Sequence, residues 1–192
     1  YVAGKMMNFG IRVDNLAGSG KYKLTLVSES ITPWENDLVS HDATAKEYVI
    51  VNSTAGHLKE AITALNKDYT KIKHLKVTGS INAYDFYIMR DSMFALSALN
   101  LKEVRIKGGN MVNIPGYDVI TGEDDELPTY CFFKKATLTN FVFPDTLKVI
   151  REYAMGSTGI SGSLNIPEGV VEIGFGAFGD CLNLNGTLSL PS

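Results

Sequence analysis

The C-terminal third of the chain repeats itself, and this constrains the fold more than any other feature. Ile150-Arg151-Glu152-Tyr153-Ala154-Met155 aligns with Ile173-Gly174-Phe175-Gly176-Ala177-Phe178, 23 residues further on. One period earlier stand Leu127 and Cys131-Phe132. Prolines keep nearly the same step, in Phe143-Pro144, Ile166-Pro167 and Leu190-Pro191. A fixed period of this length predicts a solenoid, in which each unit is one coil that cannot bury its apolar face alone.

Each unit has a physical reading. Phe141-Val142-Phe143, Leu164-Asn165-Ile166 and Leu188-Ser189-Leu190 alternate apolar and variable positions, the pattern of a short half-buried strand. Proline then ends the ladder and opens a turn. Leu147/Ile150 and Val170/Ile173 cover the next side, and the pairs Cys131-Phe132, Ala154-Met155 and Ala177-Phe178 fill the interior. The register places Ile150 and Ile173 side by side on adjacent strands, with Ala177 inward.

The run Leu164-x-Ile166-Pro167-Glu168-x-Val170-x-x-Ile173-Gly174-x-x-Ala177-Phe178-x-x-Cys181-x-x-Leu184 resembles the BspA-type leucine-rich repeats of bacterial surface proteins common in Bacteroides-like bacteria. The preceding unit has Met155 and Thr158 in place of the phenylalanine and cysteine. The first unit has Lys135 at the cysteine position, which predicts an irregular coil there.

Upstream the period is lost. Residues 1–52 read as a β-rich region, a partial sandwich or packed extension. Its strands are expected at Phe9–Val13, Tyr22–Leu26 and Tyr48–Val51, with a turn at Gly18-Ser19-Gly20. Pro33-Trp34 and residues 40–44 read as loop and linker. Residues 53–192 form the repeat domain. A helix is expected over 53–70, with Ser53 and Thr54 as caps and Leu58, Ala61, Ile62 and Leu65 inward. Ile72–Val77 reads as a strand. A second helix is expected over Asn82–Leu99, with Phe86, Met89, Met93, Leu96 and Leu99 inward. Leu101–Ile106 is then a strand. The fold class is therefore mixed and β-rich, α+β: a small antiparallel region followed by a helix-capped leucine-rich-repeat solenoid, with an insertion near 107–126. The acidic run Gly122-Glu123-Asp124-Asp125-Glu126 lacks the alternating ligand spacing of a calcium loop and reads as a solvated charged loop.

With 192 residues and 45% hydrophobic content the chain can bury a substantial core. Its net charge of −3 argues against nucleic acid and anionic membranes as partners. No apolar run is long enough to cross a bilayer. The first residue, Tyr1, suggests a portion of a longer product. The end at Leu190-Pro191-Ser192 suggests that further coils followed or that this end is uncapped. Cys131 and Cys181 read as buried, unbridged thiols. His41, His57 and His74 form no catalytic or metal motif. Gly174-Phe175-Gly176 lacks the downstream glycine and helix of a phosphate loop. No catalytic residue, metal or cofactor is called for, and the chain reads as a non-enzyme.

The resemblance implies a cell-surface or secreted binding or adhesion module for an extracellular protein or glycan. The alternatives are a structural spacer presenting another domain, or a fragment of an enzyme whose active site lies elsewhere. A monomer is expected. The expected contact surface is an outward strand column of Lys76, Arg105, Val142, Asn165 and Ser189, joined by Tyr117 from the insertion.

Overall fold

The structure is a computed structural model and describes residues 10–16, 21–27, 41–42, 47–113 and 119–190. The chain divides into two compact units, Tyr1–Glu47 and Tyr48–Ser192.

In the first unit, β1 (Gly10–Leu16) and β2 (Lys21–Val27) pair antiparallel, from Gly10 opposite Val27 to Leu16 opposite Lys21. This matches the expected hairpin, with longer strands. A third strand, β3 (His41–Asp42), pairs with Tyr22 and Lys21 of β2. These two residues read as linker from the sequence, because a two-residue bridge is made by backbone hydrogen bonds and leaves no side-chain pattern. The Gly18-Ser19-Gly20 turn and Pro33-Trp34 lie outside the described residues.

The second unit opens with β4 (Val49–Ser53), α1 (Leu58–Ala64), β5 (His74–Ile81), α2 (Ala83–Tyr87) and β6 (Ala98–Ile106). The strand around Tyr48–Val51, grouped with the N-terminal region from the sequence, instead pairs in parallel with β5 along its whole length. Its partner is the next strand of the same pattern, so the β-rich entry to the repeats begins at Val49. After β6 come β7 (Met111–Val112) and β8 (Ile120–Thr121), which pair antiparallel. They are followed by β9 (Glu126–Leu127), β10 (Asn140–Val142), β11 (Val149–Ile150), β12 (Gly162–Asn165), β13 (Glu172–Ile173) and β14 (Leu184–Ser189). One parallel sheet has the order β10-β6-β5-β4, a second β13-β11-β9, and β12 pairs with β14.

Both helices depart from the sequence reading. α1 starts at Leu58, and neither Ser53 nor Thr54 caps it with a side chain. Leu58 and Ile62 are buried as expected, but Leu65 falls one residue past the helix and is 48% exposed. α2 begins at the expected place, where Asn82 and Asp85 form a reciprocal capping box. It runs straight into a π-helical turn, Ile88–Ser92, and ends well before Leu99. The N–H groups of Ser97 and Ala98 donate to Lys73 O, so the chain is already entering the sheet beside β5. Phe86, Met89, Met93, Leu96 and Leu99 are nonetheless all buried. They share one core whichever element carries them.

Ile150 pairs with Leu127 on one side and with Ile173 on the other, each 23 residues away. Cys131, Phe132, Ala154, Met155 and Ala177 are buried. Ile173, expected inward, is 41% exposed, whereas Leu127 on the opposite outer strand of the same sheet is fully buried.

Between these strands, each unit runs through a series of tight turns with a strict alternation. The N–H groups of Tyr130, Phe132 and Lys134 donate forward to Glu152 O, Ala154 O and Gly156 O of the next unit. Those of Cys131, Phe133 and Lys135 donate back to Pro128 O, Tyr130 O and Phe132 O. One repeat later Tyr153, Met155 and Ser157 donate to Phe175 O, Ala177 O and Gly179 O. Every backbone donor along the turn run is thus satisfied without a regular strand or helix. The alternation requires two left-handed residues per unit, found at Tyr130, Tyr153 and Gly176 and again at Lys134, Ser157 and Asp180. A Cβ on Gly176 would stand 2.6 Å from the Tyr153 ring, so a residue without one is needed where that ring lies over the next turn.

Candidate binding faces

The β10-β6-β5-β4 sheet has two unlike faces. Val49, Leu75, Leu99 and Phe141 are register partners on the inner side, where Leu75 and Leu99 are fully buried. The next residues, Ile50, Lys76, Asn100 and Val142, form the outer row, in which Ile50 and Val142 are exposed. Parallel sheets are ordinarily covered on both faces. This row carries two exposed apolar residues around a lysine and an asparagine, with Lys76 Nζ reaching Glu103 Oε1 at 2.5 Å.

The expected contact column is therefore assembled in part. Lys76 and Val142 do share a row. The place expected for Arg105 belongs to Asn100, because β6 begins earlier than the sequence suggested and its register with β5 shifts between Lys76 and Thr78. Arg105 pairs instead with Ser80 and points its guanidinium at Asp125, 3.3 Å away. Asn165 and Ser189 are exposed register partners of each other in the separate β12–β14 ladder. Tyr117 lies outside the described residues.

The acidic run of the insertion is spent within the fold. Asp124 accepts from Gly108 N and Lys107 Nζ, and Asp125 accepts from Arg105 and from Thr146 Oγ1. Glu126 is buried rather than solvated, and Arg151 grips both its oxygens at 2.7 Å. Burial would raise its carboxyl, but the guanidinium and the Glu123 N–H together hold it below the usual carboxylate range. Among the described residues no group of three or more His, Cys, Asp or Glu is placed to hold a metal ion. No helix among them is long and apolar enough to cross a membrane.

A second face was not foreseen. The left-handed turn positions bring Tyr130 and Tyr153 into a stack, ring centroids 5.2 Å apart and planes 16° from parallel. Phe133 meets both edge-on, and Phe175 meets Tyr153 edge-on at 5.6 Å while remaining 74% exposed. Lys134 Nζ lies over the Phe133 ring. Beside Phe133 a depression of about 200 Å³ is lined by Arg90, Asp91, Lys134 and Lys135. The signal was available in the sequence, because Tyr130 and Tyr153 are 23 residues apart, but a reading centred on the strands does not look at turns.

Beneath this face runs a column of buried polar groups. Lys135, Thr158 and Cys181 occupy the same repeat position and donate to backbone oxygens. Lys135 Nζ donates to Arg90 O and Met93 O, both at 3.0 Å, and Thr158 Oγ1 and Cys181 Sγ both donate to Met155 O. Lys135 does not make its unit irregular. Its N–H bonds to Phe132 O just as Thr158 bonds to Met155 O and Cys181 to Phe178 O. A long side chain is needed here because its acceptors lie at the end of the π-helical turn, outside the repeats. Cys131 and Cys181 are both free and buried, and burial raises the Cys131 thiol well above its ordinary range.

Residues 125–192 match the family model described as "BspA type Leucine rich repeat region (6 copies)". This segment is a BspA-type leucine-rich-repeat region. No curated protein matches the chain. Among solved structures, the chain is similar to a leucine-rich repeat protein from Bacteroides ovatus ATCC 8483, at 17% identity and a TM-score of 0.33. The match covers 98% of this chain and 41% of that protein. The BspA-type match begins at residue 125, so β4, β5 and β6 precede it, although β6 is joined in one sheet to β10 of the repeats.

Proposed function

We propose that the chain is a non-enzymatic binding module of an extracellular or cell-surface protein. In this reading its 23-residue coils stack as a solenoid, and α1 and α2 cover the apolar side at its entry. Leucine-rich repeats present extended faces made from adjacent units, and such faces suit macromolecular ligands. The observation that carries the reading is the outer row Ile50–Lys76–Asn100–Val142, with exposed Ile50 and Val142, on a parallel sheet whose opposite face is buried. It combines apolar area with a cation and an amide, the composition of a contact patch rather than of a catalytic cleft. Arg105 extends the same strand. Asn165 and Ser189 offer a neutral polar edge further along the repeats. Tyr117 would add an aromatic anchor from the insertion. Extracellular placement, and a protein or glycan as the ligand, rest on the repeat family.

The test is an array of extracellular matrix proteins and glycans probed with the intact chain. Positive ligands are then re-measured with Lys76→Ala/Asn100→Ala and, separately, with Arg105→Ala/Tyr117→Ala. The first pair should weaken binding by about tenfold or more, as removal of central contacts does. Unchanged affinity in a variant with an unchanged melting curve would remove the sheet row from the binding site. No ligand at all would favour the spacer reading.

A further inference from the structure

The aromatic turn face has a pattern that the sheet row lacks. Its first and third described units carry opposite charges at one repeat position. The position filled by Lys134 in the first unit is filled by Ser157 in the second and Asp180 in the third, all with the same left-handed backbone. Phe133 in the first unit corresponds to Gly156 and then Gly179. At these two positions the face therefore passes from Lys134 and a phenylalanine ring to Asp180 and a glycine over two inter-unit steps, roughly 10 Å at ordinary strand spacing. Tyr153 stands in the middle unit, stacked on Tyr130 and touched by Phe175. The charge gradient extends beyond the face. Between Arg151 and Asp180 the acidic residues Glu152, Glu168 and Glu172 stand without another lysine or arginine among them, and Glu172 lies within the field of Arg151. At the other end Lys134 and Lys135 stand beside the Arg90–Asp91 pair.

A partly apolar face with opposite charges at its two ends fits a second copy of itself. We propose that two copies of this chain associate through the turn face, about a two-fold axis that lies in the face and runs along the middle unit, residues 152–158. Rotation about that axis carries the third unit of one copy onto the first unit of the other. Lys134 then faces Asp180 of the second copy, twice per interface. Phe133 faces Gly179, a ring against a residue with no side chain, and Tyr153 faces Tyr153. The exposed Glu152 faces Glu152 on the axis, one like-charge pair against the two Lys134–Asp180 pairs. Phe175, which projects into water at a position held by Glu152 and Thr129 in the earlier units, faces Thr129. This is a two-copy assembly in place of the monomer expected from the sequence, and it does not depend on the sheet row binding a ligand.

The test uses Lys134→Asp and Asp180→Lys in the full chain. Each substitution copies the residue that the other unit already carries at the same backbone position, so both are compatible with the fold, and melting curves confirm it. The wild-type chain should sediment as a dimer. Each single variant places two like-charged pairs in the interface and should weaken association by about tenfold or more. Mixing the two variants in equal amounts restores both pairs as Lys against Asp, so the mixture should regain dimer that neither variant forms alone. A wild-type chain that stays monomeric at millimolar concentration would overturn the proposal. So would single variants that dimerise like the wild type, or a mixture no better than its components.

Discussion

Lys135 makes the stability of this protein rise with pH on the alkaline side of neutrality. Its side chain is 6% exposed, with the ammonium drawn to Arg90 O and Met93 O. Desolvation disfavours the charged form. The Asp91 carboxylate opposes that effect, Arg90 adds to it, and the result is a pKa lowered from 10.5 to about 8. The unfolded chain therefore holds a proton that the folded chain has begun to release. Below pH 8 the folded state carries the full cost of the buried charge, and above 10.5 it carries none. A gap of this size corresponds to about 3 kcal/mol. Between pH 7 and 9 the relief should be about 1.3 kcal/mol. Other groups titrate in the same range, so the measurement is a difference. Urea unfolding of the wild type and of Lys135→Met is followed by far-ultraviolet circular dichroism at pH 7, 8 and 9. Methionine is an unbranched apolar replacement for the buried stem and has no proton to lose. It leaves Arg90 O without the lysine donor, while Met93 O keeps the N–H of Leu96, so its offset is independent of pH. The stability of wild type minus variant should climb by about 1.3 kcal/mol across the series. A constant difference would mean that Lys135 titrates as an ordinary solvated lysine, and the argument from burial would fail.

Asp85 should be the most costly carboxylate to remove. It is fully buried and accepts from Gly56 N, Leu58 N and Asn82 N, tying α1 to α2, and Asp85→Ala should cost about 3 kcal/mol in urea unfolding. A loss within experimental error would show that water replaces the carboxylate. Ala177 accepts the N–H of Met155 on its carbonyl and is 2% exposed, so Ala177→Leu should overpack the interior and cost about 1–3 kcal/mol. Unchanged thermal stability would place that side chain outside the core.

What the sequence determined by itself is the part of the molecule in which each contact recurs at a constant offset. Ile150 beside Ile173, and the burial of Cys131, Ala154 and Ala177, follow from one period, because each of these positions has a counterpart 23 residues away. The tyrosine stack obeys that rule too and was legible in principle, had turn residues been aligned as closely as strand residues. Tertiary structure alone decided the contacts with no period. Asp85 caps a helix 27 residues upstream, and Lys135 reaches carbonyls 42 and 45 residues away. Asn100 took the row position assigned to Arg105 because β6 begins at Ala98, where two donors bound to Lys73 O draw the chain into the sheet. The length of α2 and the register of β6 are settled by competition between backbone partners. Local propensity describes only one side of that competition.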